Sequence, residues 1–335
     1  MTDGTAFQWY EIPECVDERC LTVEVPCGQC IECREKKASD WRVRMIEEVN
    51  DQRRQGNKAY FMTLTFSPEE LKILKHREQV RNECNVLPKV ALRRMLERWR
   101  KDHKKSLKHW FVTEMGHQGT ERIHMHGILF TPEELQLKVL EEKKEGVMAQ
   151  WKYWRYGNVF VGSYVNAKTV NYLMKYITKI DTDHKGFIGE ILCSPGIGAK
   201  WWKEHQSDVT YNYRQGRTRT DYILNTGQRI PLPSYYKNHL HTEEEREQIW
   251  RDFMDKEQIS VLGTPHSLHS DHLENITKKA KEINKFMEYG NDSKEWRKRE
   301  YNLTEKMLKS NRKIYFDAVI QKNTKKLLEN LDISE

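Results

Sequence analysis

The stretch that most constrains the fold is residues 122–130 (RIHMHGILF), where apolar and imidazole side chains alternate. Successive side chains of a β-strand point to opposite faces, so Ile123 and Met125 are expected to face a core. His124 and His126 then project together from the other face, and two adjacent imidazoles can bind a divalent metal ion. An HxH pair alone is a weak signal, because two histidines on a strand are common without a metal.

Residues 166–180 (NAKTVNYLMKYITKI) predict an amphipathic helix. Tyr172, Tyr176 and Lys179 follow at i, i+4 and i+7, so they fall on one helix face. A second, apolar stripe is predicted to pack inward and consists of Leu173, Ile177 and Ile180. A tyrosine hydroxyl has an unperturbed pKa of about 10, so it needs a nearby cation to act as a nucleophile. An aromatic stripe buried in a core is the alternative interpretation.

The remaining periodic segments predict an antiparallel sheet backed by helices, an α+β fold. Further strands are expected at residues 60–66, 109–115 and 156–164, and the stretch 116–120 (GHQGT) is expected to close a hairpin. Helices are expected at residues 34–55 and 89–105, the second of them strongly basic.

Composition favours an ordered protein with a nucleic-acid partner. The 335 residues carry 57 Lys+Arg against 50 Asp+Glu, and the 10 Trp and 15 Tyr argue against disorder. The start of the chain lacks a secretory signal pattern, and no apolar run approaches the roughly 18–20 residues of a membrane span. The G-x-x-x-x-G-K-[ST] pattern is absent, so no nucleotide cofactor is expected.

Five of the seven cysteines lie within residues 1–33, and three of them form a C-x-x-C-x-x-C run. An odd number of cysteines in a chain with no export signal argues for a reducing cytoplasm and against a disulfide framework. Structural zinc usually takes four ligands, and the candidates are Cys20, Cys27, Cys30 and Cys33. Reduced cysteines without a metal are the equally weighted alternative, because a second, distant CxxC pair is missing.

Several motifs follow one another in an order that resembles HUH-type nucleases. They are VPCGQCIECR at 25–34, FMTLTF at 61–66, TEMG at 113–116, the HxH stretch, YLMKYITK at 172–179 and SPGIG at 194–198. The set is more closely similar to the rolling-circle replication initiators of microviruses, the gokushovirus group in particular. The resemblance spans residues 25–200, and the paired tyrosines with their trailing lysine are its most specific part.

The resemblance implies an antiparallel sheet of the HUH nuclease type and a role for each site residue. Tyr172 and Tyr176 would be the nucleophiles that cut the origin strand and later close a circle, while Lys179 stabilises charge on the scissile phosphate. His124 and His126 would bind Mg²⁺ or Mn²⁺ with Glu114 as the third ligand, although an ordinary surface carboxylate is the alternative for Glu114. The origin would be bound as single-stranded or melted double-stranded DNA, and a host helicase and DNA polymerase would act with the protein in the bacterial cytoplasm.

The expected organisation has four parts. They are a Cys-rich N-terminal segment with a basic helix (1–58), a nuclease core (59–200), a basic aromatic DNA-contacting segment (201–240) and a charged helical C-terminal region (241–335). Candidate DNA contacts are Lys168, Lys175, Arg214, Arg217 and Arg219. A solvated basic surface over ordinary core aromatics is an equally weighted interpretation of residues 200–240.

Two other functions remain open from the sequence. A paired-tyrosine HUH transposase would share the chemistry and a Cys-rich N-terminus. A non-catalytic, zinc-stabilised nucleic-acid-binding protein would keep every activity after Tyr172 and Tyr176 are replaced by Phe.

Overall fold

The computed structural model describes residues 27–79, 85–117, 121–184, 187–261, 264–267, 269–287 and 289. The predicted zinc ligand Cys20, most of the predicted turn at 116–120 and the tail beyond residue 289 lie outside these described residues.

The centre of the fold is a seven-stranded sheet in which every neighbouring pair is antiparallel. Its strands are β1 (Lys58–Leu64), β2 (Lys108–Met115), β3 (Ile123–Thr131), β4 (Leu137–Lys143), β5 (Gly146–Trp151), β6 (Trp154–Gly162) and β7 (Ile191–Cys193). The order across the sheet is β4-β5-β6-β1-β3-β2-β7, so the HxH strand β3 lies between β1 and β2. The predicted antiparallel α+β fold is confirmed.

The hairpin of β4 and β5 was not predicted from the sequence. β4 (LKVLEEK) is almost wholly exposed, so it shows no alternation between apolar and polar side chains. It lies at the edge of the sheet, where charged residues discourage pairing with another chain. Burial, which gives a strand its sequence pattern, is missing at this position.

Helices cover both faces of the sheet. They are α1 (Ile31–Arg54), α2 (Pro68–Arg77), α3 (Val86–His103) and α4 (Ala167–Thr178). Met125 and Leu129 of β3 pack in the core that contains Met95 of α3. Ile128 of β3 belongs to the opposite core, which contains Leu173 of α4. The predicted alternation along β3 is therefore confirmed, and His124 and His126 lie on the face that α1 and α4 cover.

A third core joins residues 197–240 to α1. The segments beyond the sheet are α5 (Ala199–Glu204), β8 (Asp221–Ile223), β9 (Arg229–Pro231), α6 (Ser234–Leu240), α7 (Glu243–Asp255), β10 (Gln258–Val261), β11 (Thr264–Ser267) and α8 (Asp271–Met287). Trp201, Tyr211, Tyr222 and Tyr236 are buried there against Val43. These four rings are ordinary core aromatics and are not exposed for stacking on unpaired bases.

The described part of the C-terminal region contains the helices α7 and α8, as expected, and a β10–β11 hairpin that the sequence did not predict. Among the described residues, no helix combines the length and apolar character needed to cross a bilayer.

Candidate active site

Strand pairing brings one carboxylate to the two histidines of the HxH stretch. In the register of β2 with β3, Glu114 lies opposite His124 and Val112 lies opposite His126. Glu114 Oε2 is 3.1 Å from His124 Nε2 and 2.9 Å from His126 Nε2. One carboxylate oxygen thus meets both imidazoles. The structure brings together the three residues that the sequence nominated as metal ligands.

The other nitrogen of each ring has a partner that orients it. Nδ1 of His124 lies 3.1 Å from the carbonyl oxygen of Arg122, an acceptor only, so this nitrogen carries the proton and Nε2 keeps its lone pair. Nδ1 of His126 lies 2.9 Å from Thr63 Oγ1 on the neighbouring strand β1. Partners of this kind fix ring orientation at metal sites and strengthen the ligand. Both Nε2 atoms consequently face Glu114.

Electrostatics keep the carboxylate charged and the buried imidazole neutral. Burial alone would raise the pKa of Glu114, but hydrogen bonds from His124, His126 and Lys179 outweigh it and hold the pKa well below its usual range. Burial lowers the pKa of His126 and outweighs the opposing effect of Glu114. A charged carboxylate and a neutral imidazole are the forms that bind metals.

The chemistry of these donors fits a divalent cation. The ligand atoms of Glu114, His124 and His126 all lie within 4.8 Å of one another. A carboxylate with two imidazoles suits Mn²⁺ and related divalent ions, and the two strands hold the donors rigidly. The arrangement is therefore compatible with metal binding.

Helix α4 presents the two tyrosines to this site. It begins with a capping box in which Asn166 Oδ1 accepts hydrogen bonds from the N–H groups of Lys168 and Thr169, at 2.9 and 3.1 Å. Its apolar face buries Leu173 and Ile177, as the sequence predicted. The opposite face therefore points Tyr172 and Tyr176 toward the histidines of β3.

The two tyrosines differ in exposure. The ring of Tyr176 stacks on His126 with 4.1 Å between centroids, whereas Tyr172 meets Phe61 edge-on and is 47% exposed. The two hydroxyl groups hydrogen-bond to each other. Burial, the hydrogen bond with Tyr172 and the charge of Glu114 all raise the pKa of Tyr176. Tyr172 is thus the more accessible hydroxyl, and Tyr176 is the more firmly held.

Lys179 lies at the C-terminal end of α4, one residue beyond its last helical residue. Its Nζ contacts a carboxylate oxygen of Glu114 and lies 2.9 Å from Nε2 of His117. Ile180 is 40% exposed, so the prediction that it packs inward was wrong. The reason is that the helix ends at Thr178, and the apolar stripe ends with it.

A buried arginine, which the sequence did not nominate, holds this end of α4. Arg34 of α1 is 3% exposed, and its guanidinium donates to the carbonyl oxygens of Ile177 and Lys179, each at 2.8 Å. The last carbonyls of a helix lack partners within the helix, so a cation there stabilises the end. Arg34 follows Cys33 directly, which links the position of Lys179 to the cysteine run.

The described cysteines of that run lie together at the start of α1. Sγ of Cys27 is 3.9 Å from Sγ of Cys33, and it accepts the backbone N–H of Cys30 at 3.2 Å. Although burial works against it, these backbone hydrogen bonds lower the pKa of Cys27. Burial raises the pKa of Cys30. The three thiols are compatible with a metal ion, and Cys20, the fourth ligand expected from the sequence, lies outside the described residues.

The candidate DNA contacts fall into two groups. Lys168 and Lys175 are exposed on α4, the helix that bears the tyrosines. Arg214 and Arg217 are exposed in the loop before β8, and Arg219 pairs with Asp221 at 3.3 Å. The DNA-contacting role of these residues remains a prediction.

Comparison with known proteins bears on the sheet and the tyrosine helix. Residues 59–181 match the family model of the replication-associated protein ORF2. The matched segment contains the three candidate metal ligands, both tyrosines and Lys179. The match supports a rolling-circle replication initiator role, which implies DNA binding and suggests a nicking activity. Neither the curated proteins nor the solved structures gave a significant match.

Three residues of the site were missed by sequence reasoning: Thr63, Arg34 and His117. Thr63 lies in the FMTLTF stretch, where the alternation of a strand between β-branched and apolar residues does put it on the histidine face. That periodicity could have nominated it. Arg34 and His117 act across 143 and 62 residues of chain, so no local pattern indicates them.

Proposed function

We propose that this chain nicks the origin strand of circular replicative-form DNA, becomes joined to the 5′ phosphate through tyrosine and later rejoins the displaced strand. The single observation that carries the proposal is the convergence of two tyrosine hydroxyls, a lysine and a two-histidine, one-carboxylate cluster on one face of the sheet. The ring of Tyr176 stacks directly on His126, so nucleophile and metal ligands are within contact of each other.

The chemistry follows from these side chains. Oη of a tyrosine forms a bond to the scissile phosphorus as the bond from phosphorus to O3′ breaks. The tyrosine loses its proton to solvent, and the departing O3′ takes one up to become the hydroxyl that primes synthesis. The phosphotyrosine conserves the energy of the broken bond, so a 3′-hydroxyl can later attack it and close a circle without ATP.

Each remaining residue of the site has a defined part. Lys179 brings a positive charge beside the reacting phosphate and stabilises the charge that develops there. Glu114, His124 and His126 would hold Mg²⁺ or Mn²⁺, which supplies polarisation of a phosphate oxygen when bound. Thr63 orients His126. Arg34 fixes the helix end that carries Lys179.

We propose that Tyr172 makes the first cut. It is the more exposed of the two hydroxyls, whereas burial raises the pKa of Tyr176. A tyrosine with a raised pKa is a poorer nucleophile until its surroundings change. Tyr176 would act in the second cut, after the first strand is joined to Tyr172.

The proposal includes a viral setting. The motifs at 25–34 and 194–198, outside the matched segment, resemble those of microvirus initiators of the gokushovirus group. Such a protein would work in the cytoplasm of a bacterial host, with host helicase and DNA polymerase extending the 3′-hydroxyl.

A covalent-adduct assay tests the proposal. The full chain is mixed with single-stranded DNA that covers the origin and with Mn²⁺, and the products are separated on a denaturing gel. We expect a metal-dependent protein–DNA band that Tyr172→Phe reduces strongly, Tyr176→Phe reduces less and the double variant abolishes. Lys179→Met should slow adduct formation roughly 100- to 1,000-fold, the effect of removing one group that stabilises transition-state charge.

Tyr164→Phe is the matched control, because Tyr164 is a well exposed tyrosine close to the start of α4 but outside the cluster. Its adduct yield should equal that of the wild type. If the double variant still forms the band, or if no adduct forms while origin DNA binds normally, the non-catalytic function is correct instead.

A further inference from the structure

A second group of two histidines and one carboxylate lies beside the candidate active site. His117 follows β2 by two residues, while Asp181 and His184 lie in the segment after α4. Their ligand atoms all fall within 4.8 Å of one another. Asp181 Oδ2 is 2.9 Å from His184 Nδ1 and 3.6 Å from His117 Nε2. As in the first cluster, one carboxylate oxygen faces two imidazole nitrogens.

The carboxylate of this group is built into the fold. Asp181 is 6% exposed, and its Oδ1 accepts the backbone N–H groups of Asp183 and His184 at 3.2 and 3.1 Å. Those bonds fix the carboxylate and leave Oδ2 directed at the imidazoles. A buried charged group usually has a partner or a bound ion, because taking it out of water is costly.

The tautomer of His117 is the one that metal binding needs. Lys179 Nζ, which is only a donor, lies 2.9 Å from Nε2 of His117, so Nε2 accepts and keeps its lone pair. Nδ1 then carries the proton and donates to Asp183 Oδ2 at 3.0 Å. A carboxylate behind a histidine is the usual outer partner of a metal-binding imidazole.

We propose that His117, Asp181 and His184 form a second site for a divalent transition metal, of the Zn²⁺ or Mn²⁺ class. Two imidazoles with one carboxylate favour such ions over Mg²⁺, which prefers oxygen ligands. The site joins the end of β2 to the segment after α4. A metal there fastens the C-terminal end of the tyrosine helix to the sheet, and it competes with Lys179 for Nε2 of His117. The ion thereby positions Lys179 without contacting DNA.

Counting bound Mn²⁺ tests this inference, because Mn²⁺ does not favour the thiolates of the cysteine run. Equilibrium dialysis of the full chain without DNA should give two Mn²⁺ per wild-type molecule. His117→Gln and His184→Gln should each bind one. A His124→Gln/His126→Gln variant should also bind one, and adding His184→Gln to it should remove the last. His76→Gln, which changes an exposed histidine on α2, is the matched control and should bind two.

Thermal unfolding supplies an independent readout that does not depend on complete occupancy. Mn²⁺ should raise the unfolding temperature of the His124→Gln/His126→Gln variant, since an ion that binds only the folded state stabilises it. The added His184→Gln change should remove that rise. A wild type that binds one Mn²⁺, lost in the His124→Gln/His126→Gln variant, overturns the proposal. Two Mn²⁺ that both survive in His117→Gln and His184→Gln overturn it equally.

The outcome is separable from that of the proposed nicking function. A chain that binds two Mn²⁺ but forms no DNA adduct keeps this inference and loses the function. A chain that forms the adduct with a single Mn²⁺ keeps the function and loses this inference.

Discussion

Replacing Gly127 with alanine should break the strand pairing that holds the HxH histidines. Gly127 follows His126 and lies opposite Phe111 of β2 and Met62 of β1. A Cβ atom at Gly127 would lie 2.2 Å from the carbonyl oxygen of Trp110 and 2.3 Å from Cδ1 of Phe111. Ordinary van der Waals contact begins near 3.4 Å, so both atoms are more than 1 Å too close.

The magnitude follows from what must move. Adding a methyl group to a packed core usually costs about 1–3 kcal/mol. Here one obstructing atom is a main-chain oxygen, which cannot withdraw unless β2 separates from β3. We therefore expect Gly127→Ala to lower the free energy of unfolding by about 3 kcal/mol or more. His126 would move away from Glu114 with the strand.

Gly162→Ala is the matched control in the same sheet. Its Cβ would meet only the side chain of Phe61, at 3.1 Å and beyond, and a side chain can turn aside. Alanine is favoured over glycine within a strand by roughly 0.5–1 kcal/mol, so this variant should be close to wild type in stability. Urea unfolding followed by tryptophan fluorescence measures both. With a slope of about 3 kcal/mol/M, the midpoint of Gly127→Ala should fall by about 1 M.

The reasoning would be refuted by a Gly127→Ala midpoint within about 0.3 M of that of Gly162→Ala, which corresponds to less than about 1 kcal/mol. Such a result would mean that β2 and β3 separate readily at this point. The close approach of the strands would then not be what holds His126 beside Glu114.

Three further predictions concern the residues around the site. Thr63→Val removes the partner of His126 Nδ1 and should raise the Mn²⁺ concentration for half-maximal DNA cleavage about 10- to 100-fold. Asn166→Ala removes the cap of α4 and should lower the free energy of unfolding by about 1 kcal/mol, measured by urea unfolding. Burial lowers the pKa of His109 below the ordinary 6.5, so the folded state binds fewer protons and the free energy of unfolding should fall as pH drops below 6.5. His109→Gln should weaken this pH dependence in urea titrations.

Each of these has a control and a contradicting result. Thr63→Ser keeps the hydroxyl and should behave as wild type, so equal loss in both variants would argue against an orienting hydrogen bond. Lys168→Ala changes an exposed residue of the same helix turn and should leave stability unchanged, so an equal effect of the two changes would exclude capping. If His109→Gln and wild type lose stability in parallel between pH 6.5 and 5, other groups account for the effect.

Much of the fold could be predicted, because its central elements carry local patterns. β3 alternates between its two faces, and α4 has a cap followed by an apolar stripe. The β4–β5 and β10–β11 hairpins escaped prediction. β4 shows why, since it is exposed and burial imposes no pattern on it. In residues 200–240 the sequence left two interpretations open, and the third core decides for buried aromatics by packing four rings on α1.

The sequence by itself determined which residue types would meet in pairs at short range. Two histidines at i and i+2 share a strand face, and two tyrosines at i and i+4 share a helix face, since both facts depend only on local backbone geometry. The tertiary structure alone decided what those pairs face. Thr63 reaches His126 across 63 residues, and Arg34 reaches Ile177 across 143. Such contacts depend on strand order and helix packing, which no local spacing encodes.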